Sequence, residues 1–208
     1  MGRGEWMGAR EHPVVSVESG RTLLRVGGVI QSVAVDERYE PDVWDAMLPT
    51  RTPANALILG LGGGTIATLL TRRFGPVPTV GVERDPRIAR LARESFGLDG
   101  LRNVQVEIDD AFGFLGRCQV RFDLVCVDLY VAGKMEHGVL APAALRHIDR
   151  VLAPEGEAVF NIWSSRHLPD QMRRIQRVLA VEGISEVAGN VIVRCGHRRF
   201  VTVLPAMS

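Results

Sequence analysis

The sequence predicts an α/β fold: a doubly wound, mostly parallel sheet of seven strands, with a C-terminal antiparallel hairpin and a small N-terminal β extension. Three observations predict it. From Ala56 to Glu182 short apolar runs alternate with amphipathic runs of helical period, and repeated strand–helix–strand order requires parallel strands with helices on both faces. The run Phe122 to Asp128 is almost wholly apolar, as a strand buried on both faces must be. Before Ala56, three β-rich runs are separated by Ser19-Gly20 and Gly27-Gly28, which reads as an antiparallel meander.

Met1 to Pro13 mixes glycines with charges and is expected to lie outside regular structure. The meander then takes Val14 to Ser19, Arg21 to Val26 and Val29 to Val35. From Asp36 to Pro49 the chain sets Val43, Trp44, Met47 and Leu48 at helical spacing, which predicts a short helix. Pro49 to Pro53 reads as a linker, dividing the chain into an extension over 1–50 and a nucleoside-binding unit over 51–208. In that unit, strands are expected at Ala56 to Gly60, Thr79 to Glu83, Val104 to Ile108, Phe122 to Asp128 and Ala158 to Trp163. Helices are expected at Thr65 to Phe74, Pro86 to Phe96, Ala111 to Leu115, Ala141 to Leu152 and Leu168 to Glu182. Pro86 stands where a missing N–H costs little. Leu129 to Gly138 is a long loop. Ile184 to Val187 and Asn190 to Cys195 read as strands or as one bent strand, and Gly196-His197 as the hairpin turn into a last strand, Arg199 to Leu204.

At 208 residues the chain is long enough for one well-buried domain. Its formal net charge of +1 gives no strong pull toward nucleic acid or an acidic membrane. Cys118, Cys126 and Cys195 stand far apart and form neither a metal signature nor a disulfide framework. His12, His147, His167 and His197 are scattered without ligand spacing, so no metal is expected. The longest uncharged stretch, Thr52 to Thr71, is broken by glycines and a proline and falls short of the ~18 apolar residues of a membrane span. The N-terminus lacks the apolar core of a signal peptide. A cytoplasmic protein with a small-molecule partner is the expectation.

The chemistry is expected beyond the carboxyl ends of the strands. Glycines at Gly60, Gly62, Gly63 and Gly64 sit between the first strand and its helix. Such a turn lets backbone approach a ligand, with the free N–H groups of the helix start beside it. Glu83 follows about 20 residues later, where a carboxylate accepts from the two hydroxyls of a ribose. The spacing G-x-G-x-G, with Thr65 where a dinucleotide turn has its last glycine, suits a ligand without a pyrophosphate. Asp109 and Asp110 end the next strand. Asp110 is placed either to accept from the exocyclic amine of a purine, with the Ala111 N–H toward a ring nitrogen, or to cap the helix it precedes; Asp109 is a second candidate for the cap. Asp128 ends the central strand, either nearest the reacting atom or as a carboxylate that satisfies loop N–H groups. In the loop after it, Leu129, Tyr130, Lys134, Glu136 and His137 are the candidates to face an acceptor, and Trp163 is a candidate wall.

These residues resemble the spermidine synthase (polyamine aminopropyltransferase) family, within the class I AdoMet-dependent methyltransferase-like Rossmann fold. The resemblance runs from about Leu23 to Phe160 and rests on LLRVGGVIQS, ALILGLGGGT, VGVERDPRIARLAR and FDLVCVDLY. A β-hairpin carrying G-x-x-Q ahead of the nucleotide fold is its most specific part. The resemblance implies that Gln31 reaches the nucleoside, Glu83 the ribose and Asp110 the adenine amine. It places Asp128 where the family has the acid that takes a proton from the attacking amine. It also implies S-adenosylmethionine (AdoMet), decarboxylated AdoMet or methylthioadenosine as ligand, and a homodimer.

The departures concern the diamine half. Where the family has G-G-G-D-G-G, with its Asp on the amine end of decarboxylated AdoMet, this chain has Gly63. Where it has D-S-x-D, Asp128 is followed by Leu129, Tyr130 and Val131. The family's Tyr-Gln-Glu stretch is replaced around Val43, Trp44 and Asp45. A dication needs paired carboxylates to offset its lost hydration. The reading is therefore methyl transfer to a non-polyamine acceptor, favoured because bare turn amides welcome the AdoMet carboxylate where an Asp would repel it. Aminopropyl transfer with a rearranged diamine site is the alternative, and a non-catalytic nucleoside-binding module the second.

Overall fold

The computed structural model describes residues 12–131, 133–136 and 138–198. The segment 1–11, His137 and the strand expected over 199–204 lie outside the described residues. Strands β1 (Pro13–Glu18), β2 (Arg21–Val26) and β3 (Val29–Val33) form an antiparallel sheet in the order β1-β2-β3. No full helix follows. The expected helix over 36–49 is reduced to one 3-10 turn, Asp45–Met47. The reason is local competition. Asp45 Oδ2 accepts from the Tyr39 hydroxyl and the Asp42 N–H, and Asp42 Oδ1 accepts from the Val43 N–H. Such side-chain bonds offer the backbone an alternative to helical pairing.

The main body alternates as expected: β4 (Ala56–Leu59), α1 (Thr65–Phe74), β5 (Thr79–Glu83), α2 (Pro86–Phe96), β6 (Val104–Ile108), α3 (Ala111–Arg117) and β7 (Phe122–Val127). The expected loop contains a small hairpin, β8 (Tyr130–Val131) with β9 (Lys134–Met135). Then come α4 (Pro142–Val151), β10 (Leu152–Trp163), α5 (Leu168–Gln176), β11 (Leu179–Val187) and β12 (Asn190–His197). The seven-stranded sheet has the order β11-β12-β10-β7-β4-β5-β6. Pairings from β10 through β6 are parallel, and β12 is antiparallel to both its neighbours.

The C-terminal hairpin exists, but its turn is Ala188-Gly189 rather than Gly196-His197. Both turn residues have positive φ, 50° and 81°, the backbone that matches the twist of a two-residue hairpin. Gly196 and His197 pair inside the ladder with Ala180 and Leu179. The helix expected to reach Glu182 stops at Gln176 because Leu179 onward pairs with β12. Pairing against a buried neighbour overrides the helical spacing of that apolar run.

Side-chain alternation sorts the sheet into two cores. Leu57, Leu59, Val125 and Val127 face one side, with Leu115, Leu145, Ile148 and Ile175 from α3, α4 and α5. Ala56, Ile58, Leu124 and Cys126 face the other, with Ile66 and Leu70 from α1. Leu23, Val33, Trp44 and Met47 complete that second core, so the segment before β4 is packed onto the sheet. Thr65 Oγ1 fixes the junction, donating to the Val33 carbonyl at 2.7 Å and accepting from the Val33 N–H at 3.1 Å. All three cysteines are free and buried. Among the described residues no helix is long and apolar enough to cross a membrane.

Candidate active site

The sheet turns direction between β4 and β7. The connection after β4 leads toward β5 at one edge, and the one after β7 leads toward β10 at the other. Such a switch point opens a crevice at the strand tips. The tips of β4 and β7 touch there: a Cβ on Gly60 would lie 2.2 Å from the Asp128 carbonyl oxygen, and Gly60 has φ +86°. Only glycine satisfies both conditions.

The crevice, where the sequence places a nucleoside, has two parts that share lining residues. One, about 420 Å³, is lined by Gly60, Glu83, Asp109, Asp110, Ala111 and Leu129, among others. The second, about 550 Å³, is lined by Gln31, Gly62, Asp85, Ile88, Asp128 and Tyr130, among others. Gly60, Glu83, Arg84 and Tyr130 border both. Strand tips thus bring together most of the residues expected to hold a nucleoside.

The glycine turn works differently from the sequence expectation. Its amides are not bare. Gly62 donates to Glu83 Oε2 at 3.0 Å, Gly63 to Ser32 Oγ at 2.7 Å and Gly64 to the Leu61 carbonyl at 2.9 Å. Gly63 and Gly64 do not line the crevice. A Cβ on Gly63 would meet Ser32 and Phe96, and one on Gly64 would meet Leu98. Those two glycines let β3 and the segment after α2 approach α1. The argument that free turn amides receive the AdoMet carboxylate therefore falls.

Glu83 is buried, and its carboxylate is aimed by two amides. Oε2 takes the Gly62 N–H and Oε1 takes the Asp85 N–H at 2.9 Å. Each oxygen keeps a lone pair for a ribose hydroxyl. Burial pushes its pKa up, while the Asp85 and Gly62 amides pull it down. Asp110 is the cap of α3: its Oδ1 accepts from Phe112 N–H at 3.0 Å and Gly113 N–H at 2.9 Å. Its Oδ2 and the Ala111 N–H take no partner among the described residues, so an acceptor and a donor stand together at the crevice wall. That pair fits the amine and adjacent ring nitrogen of adenine. Asp109 is not the cap; it accepts from the Asp110 N–H and pairs with Arg117.

Asp128 is half-buried, and two side chains from distant segments fix it. Trp44 Nε1–H donates to Oδ2 at 3.1 Å, and Asn161 Nδ2–H donates to Oδ1 at 2.9 Å. Burial raises its pKa; the Asn161 and Trp44 donors oppose that. A carboxylate held above its usual range is a stronger base than a free one.

Behind Asp128 lies a third, larger space of about 1450 Å³, open to solvent. Gln31, Asp128 and Tyr130 line both it and the crevice. Its remaining walls come from β2–β3 (Val29, Ile30), from Asp42 and Trp44, from Lys134, and from Asn161, Trp163 and Asn190. Tyr130 bridges to β10, donating its hydroxyl to the Asn161 carbonyl at 3.2 Å. Leu129, expected at the acceptor, lines the nucleoside crevice instead. Glu136 does too, paired with Arg84 at 2.9 Å. Trp44, Asn161, Asp42 and Asn190 were missed by sequence reasoning. Asn161 carried a signal: a lone amide within the apolar run AVFNIW must find a partner when buried.

Residues 54–196 match the family described as a methyltransferase domain. The eEF1A lysine and N-terminal methyltransferase homolog of Drosophila pseudoobscura pseudoobscura is 30% identical over 117 residues, 52% of this chain and 17% of that protein. The polyamine aminopropyltransferase of Oceanobacillus iheyensis is 36% identical over 116 residues, 51% of this chain and 22% of that protein. The chain thus spans well under half the length of these curated relatives. The crystal structure of a probable spermidine synthase from Corynebacterium glutamicum superposes with a TM-score of 0.73 at 21% identity, covering 94% of this chain and 80% of that one. The match over most of its length makes this chain a member of the methyltransferase domain family.

Proposed function

We propose that the chain transfers the methyl group of AdoMet to a small acceptor that is not a polyamine. One observation carries the reading: Asp128 borders both the nucleoside crevice and the larger cleft, so a single carboxylate reaches both partners. AdoMet supplies an electrophilic methyl on sulfur; the acceptor's lone pair bonds to that carbon as the carbon–sulfur pair returns to sulfur, leaving a neutral thioether. Adenine lies against Asp110 and Ala111, the ribose on Glu83, and the amino-acid tail toward Gln31 and Gly62. Asp128 takes the proton that an ammonium acceptor must lose before its lone pair is free. Trp44 and Asn161 hold that carboxylate in place, and in-line placement does the rest. The position of Asp128 at both cavities counts against a module without catalysis.

Aminopropyl transfer is the second reading, and Asp42 favours it. It shares the large cleft with Asp128 and gives that space two carboxylates. Calorimetry with AdoMet, decarboxylated AdoMet and methylthioadenosine separates the readings. Tighter binding of AdoMet than of the decarboxylated form is expected. The reverse order sinks methyl transfer, and no binding of any of them sinks both.

A further inference from the structure

The large cleft holds charges of both signs and unmet acceptors, and together they describe a ligand. Resting on the transferase reading above, we infer that the acceptor is an amine that also carries an anionic group on an apolar body, an amino-acid-like zwitterion rather than a diamine.

The amine end is specified by oxygen atoms. Asn161 is only 7% exposed, and its Oδ1 is buried without a hydrogen-bond partner among the described residues. Asn190 Oδ1, in the same cleft, is buried and unpartnered as well. A buried carbonyl oxygen left unpaired costs about 1–3 kcal/mol, so each calls for an N–H or O–H donor. Asn161 already orients Asp128 through its Nδ2–H. An ammonium carries three donors and a positive charge, which suits a cleft wall made of the Asp128 carboxylate and the side chains of Asn161 and Asn190.

The other end is specified by Lys134. This residue is the only lysine in the chain, is exposed, lines the cleft and makes no ion pair among the described residues. Arg25, the cleft's second cation, is differently placed. Its guanidinium is gripped by Glu18 at 3.0 and 2.9 Å and donates to the Gly28 carbonyl. So, of the two cations that line the cleft, Lys134 is the one without an ion pair among the described residues. A dication reaching from Asp128 to Asp42 would share the cleft with it and be repelled. A zwitterion satisfies both ends. Between the ends lie Val29, Ile30 and Trp163, with the indole 56% exposed, a surface suited to an aliphatic or aromatic body.

Three probes test the assignment by calorimetry on the chain saturated with S-adenosylhomocysteine: L-phenylalanine, phenethylamine and putrescine. L-phenylalanine carries all three features. It should bind tighter than phenethylamine by about fivefold, the upper range for an exposed ion pair, and tighter than putrescine by more. Lys134→Gln should erase the first difference, and Lys134→Glu should move putrescine ahead. Retained S-adenosylhomocysteine binding shows that each variant folds. Putrescine ranking first in the unaltered chain, an order unmoved by Lys134→Glu, or no saturable binding of L-phenylalanine overturns the inference. Failure of AdoMet to bind the unaltered chain overturns the transferase reading instead.

Discussion

The nucleoside crevice and the acceptor cleft share Gln31, Asp128 and Tyr130 but are built in opposite ways. The crevice is built around the tips of β4, β5, β6 and β7, where Gly60, Glu83, Asp109 and Asp128 each stand at or next to a strand end. Its position follows from topology alone. The cleft is made from β2–β3, the turns around Trp44, the β8–β9 hairpin, the end of β10 and the start of β12. No two of those segments share a local motif. The difference separates what the fold supplies from what this chain adds: cofactor binding comes with the sheet, whereas acceptor choice rests on segments that can vary without disturbing it.

If that division is right, a change at the junction should act on transfer and spare cofactor binding. Asp128→Asn tests it most severely. Loss of a positioned base lowers kcat by about 10²–10⁴-fold, while the dissociation constant for AdoMet, read by calorimetry, stays within a few-fold. A matched fall in both would mean that Asp128 belongs to the crevice alone. Glu83→Ala is the complementary change. It should weaken AdoMet binding by about 1.5–3 kcal/mol, the range for charge-assisted hydrogen bonds. Because Glu83 also receives the Gly62 and Asp85 amides, Glu83→Gln is needed beside it. The amide keeps one acceptor oxygen, so an intermediate loss is expected. An unchanged dissociation constant in both would move the ribose elsewhere.

The same division explains which parts were legible in the sequence. The segments Thr65–Phe74, Thr79–Glu83, Pro86–Phe96 and Val104–Ile108 were read to the residue, because caps, prolines and apolar period mark them locally. The C-terminal hairpin was misread because Leu179 to Glu182 continues the helical spacing of the run before it and becomes a strand only through its pairing with β12. The glycine turn was placed correctly and explained wrongly. Sequence shows that Gly63 lacks a Cβ; it does not show that Ser32, 31 residues earlier in the chain, occupies the space and takes the amide. The contact of Trp44 with Asp128 spans 84 residues, and no local pattern announces it. The stretch around Val43, Trp44 and Asp45 lacks the family's Tyr-Gln-Glu pattern, yet the neighbouring Asp42 is the cleft's second carboxylate.

The finest test concerns that long-range contact. Trp44→Phe keeps the packing of a buried aromatic and removes one donor from Asp128. Burial already holds the Asp128 pKa above the usual carboxylate value, and the indole pulls it down. Asp128 must be ionised to take a proton, so kcat should fall on the acid side at a pH above the ordinary carboxylate range. Removing the indole donor should move that acid limb further up. With its folded pKa raised, Asp128 binds more protons folded than unfolded between its two pKa values, so stability falls as pH rises through that window. Trp44→Phe should widen the window at its upper end. A structural role for Trp44 would lower stability at every pH and leave the limb where it was; an acid limb displaced upward, with AdoMet binding intact, ties the indole to the junction between the two cavities.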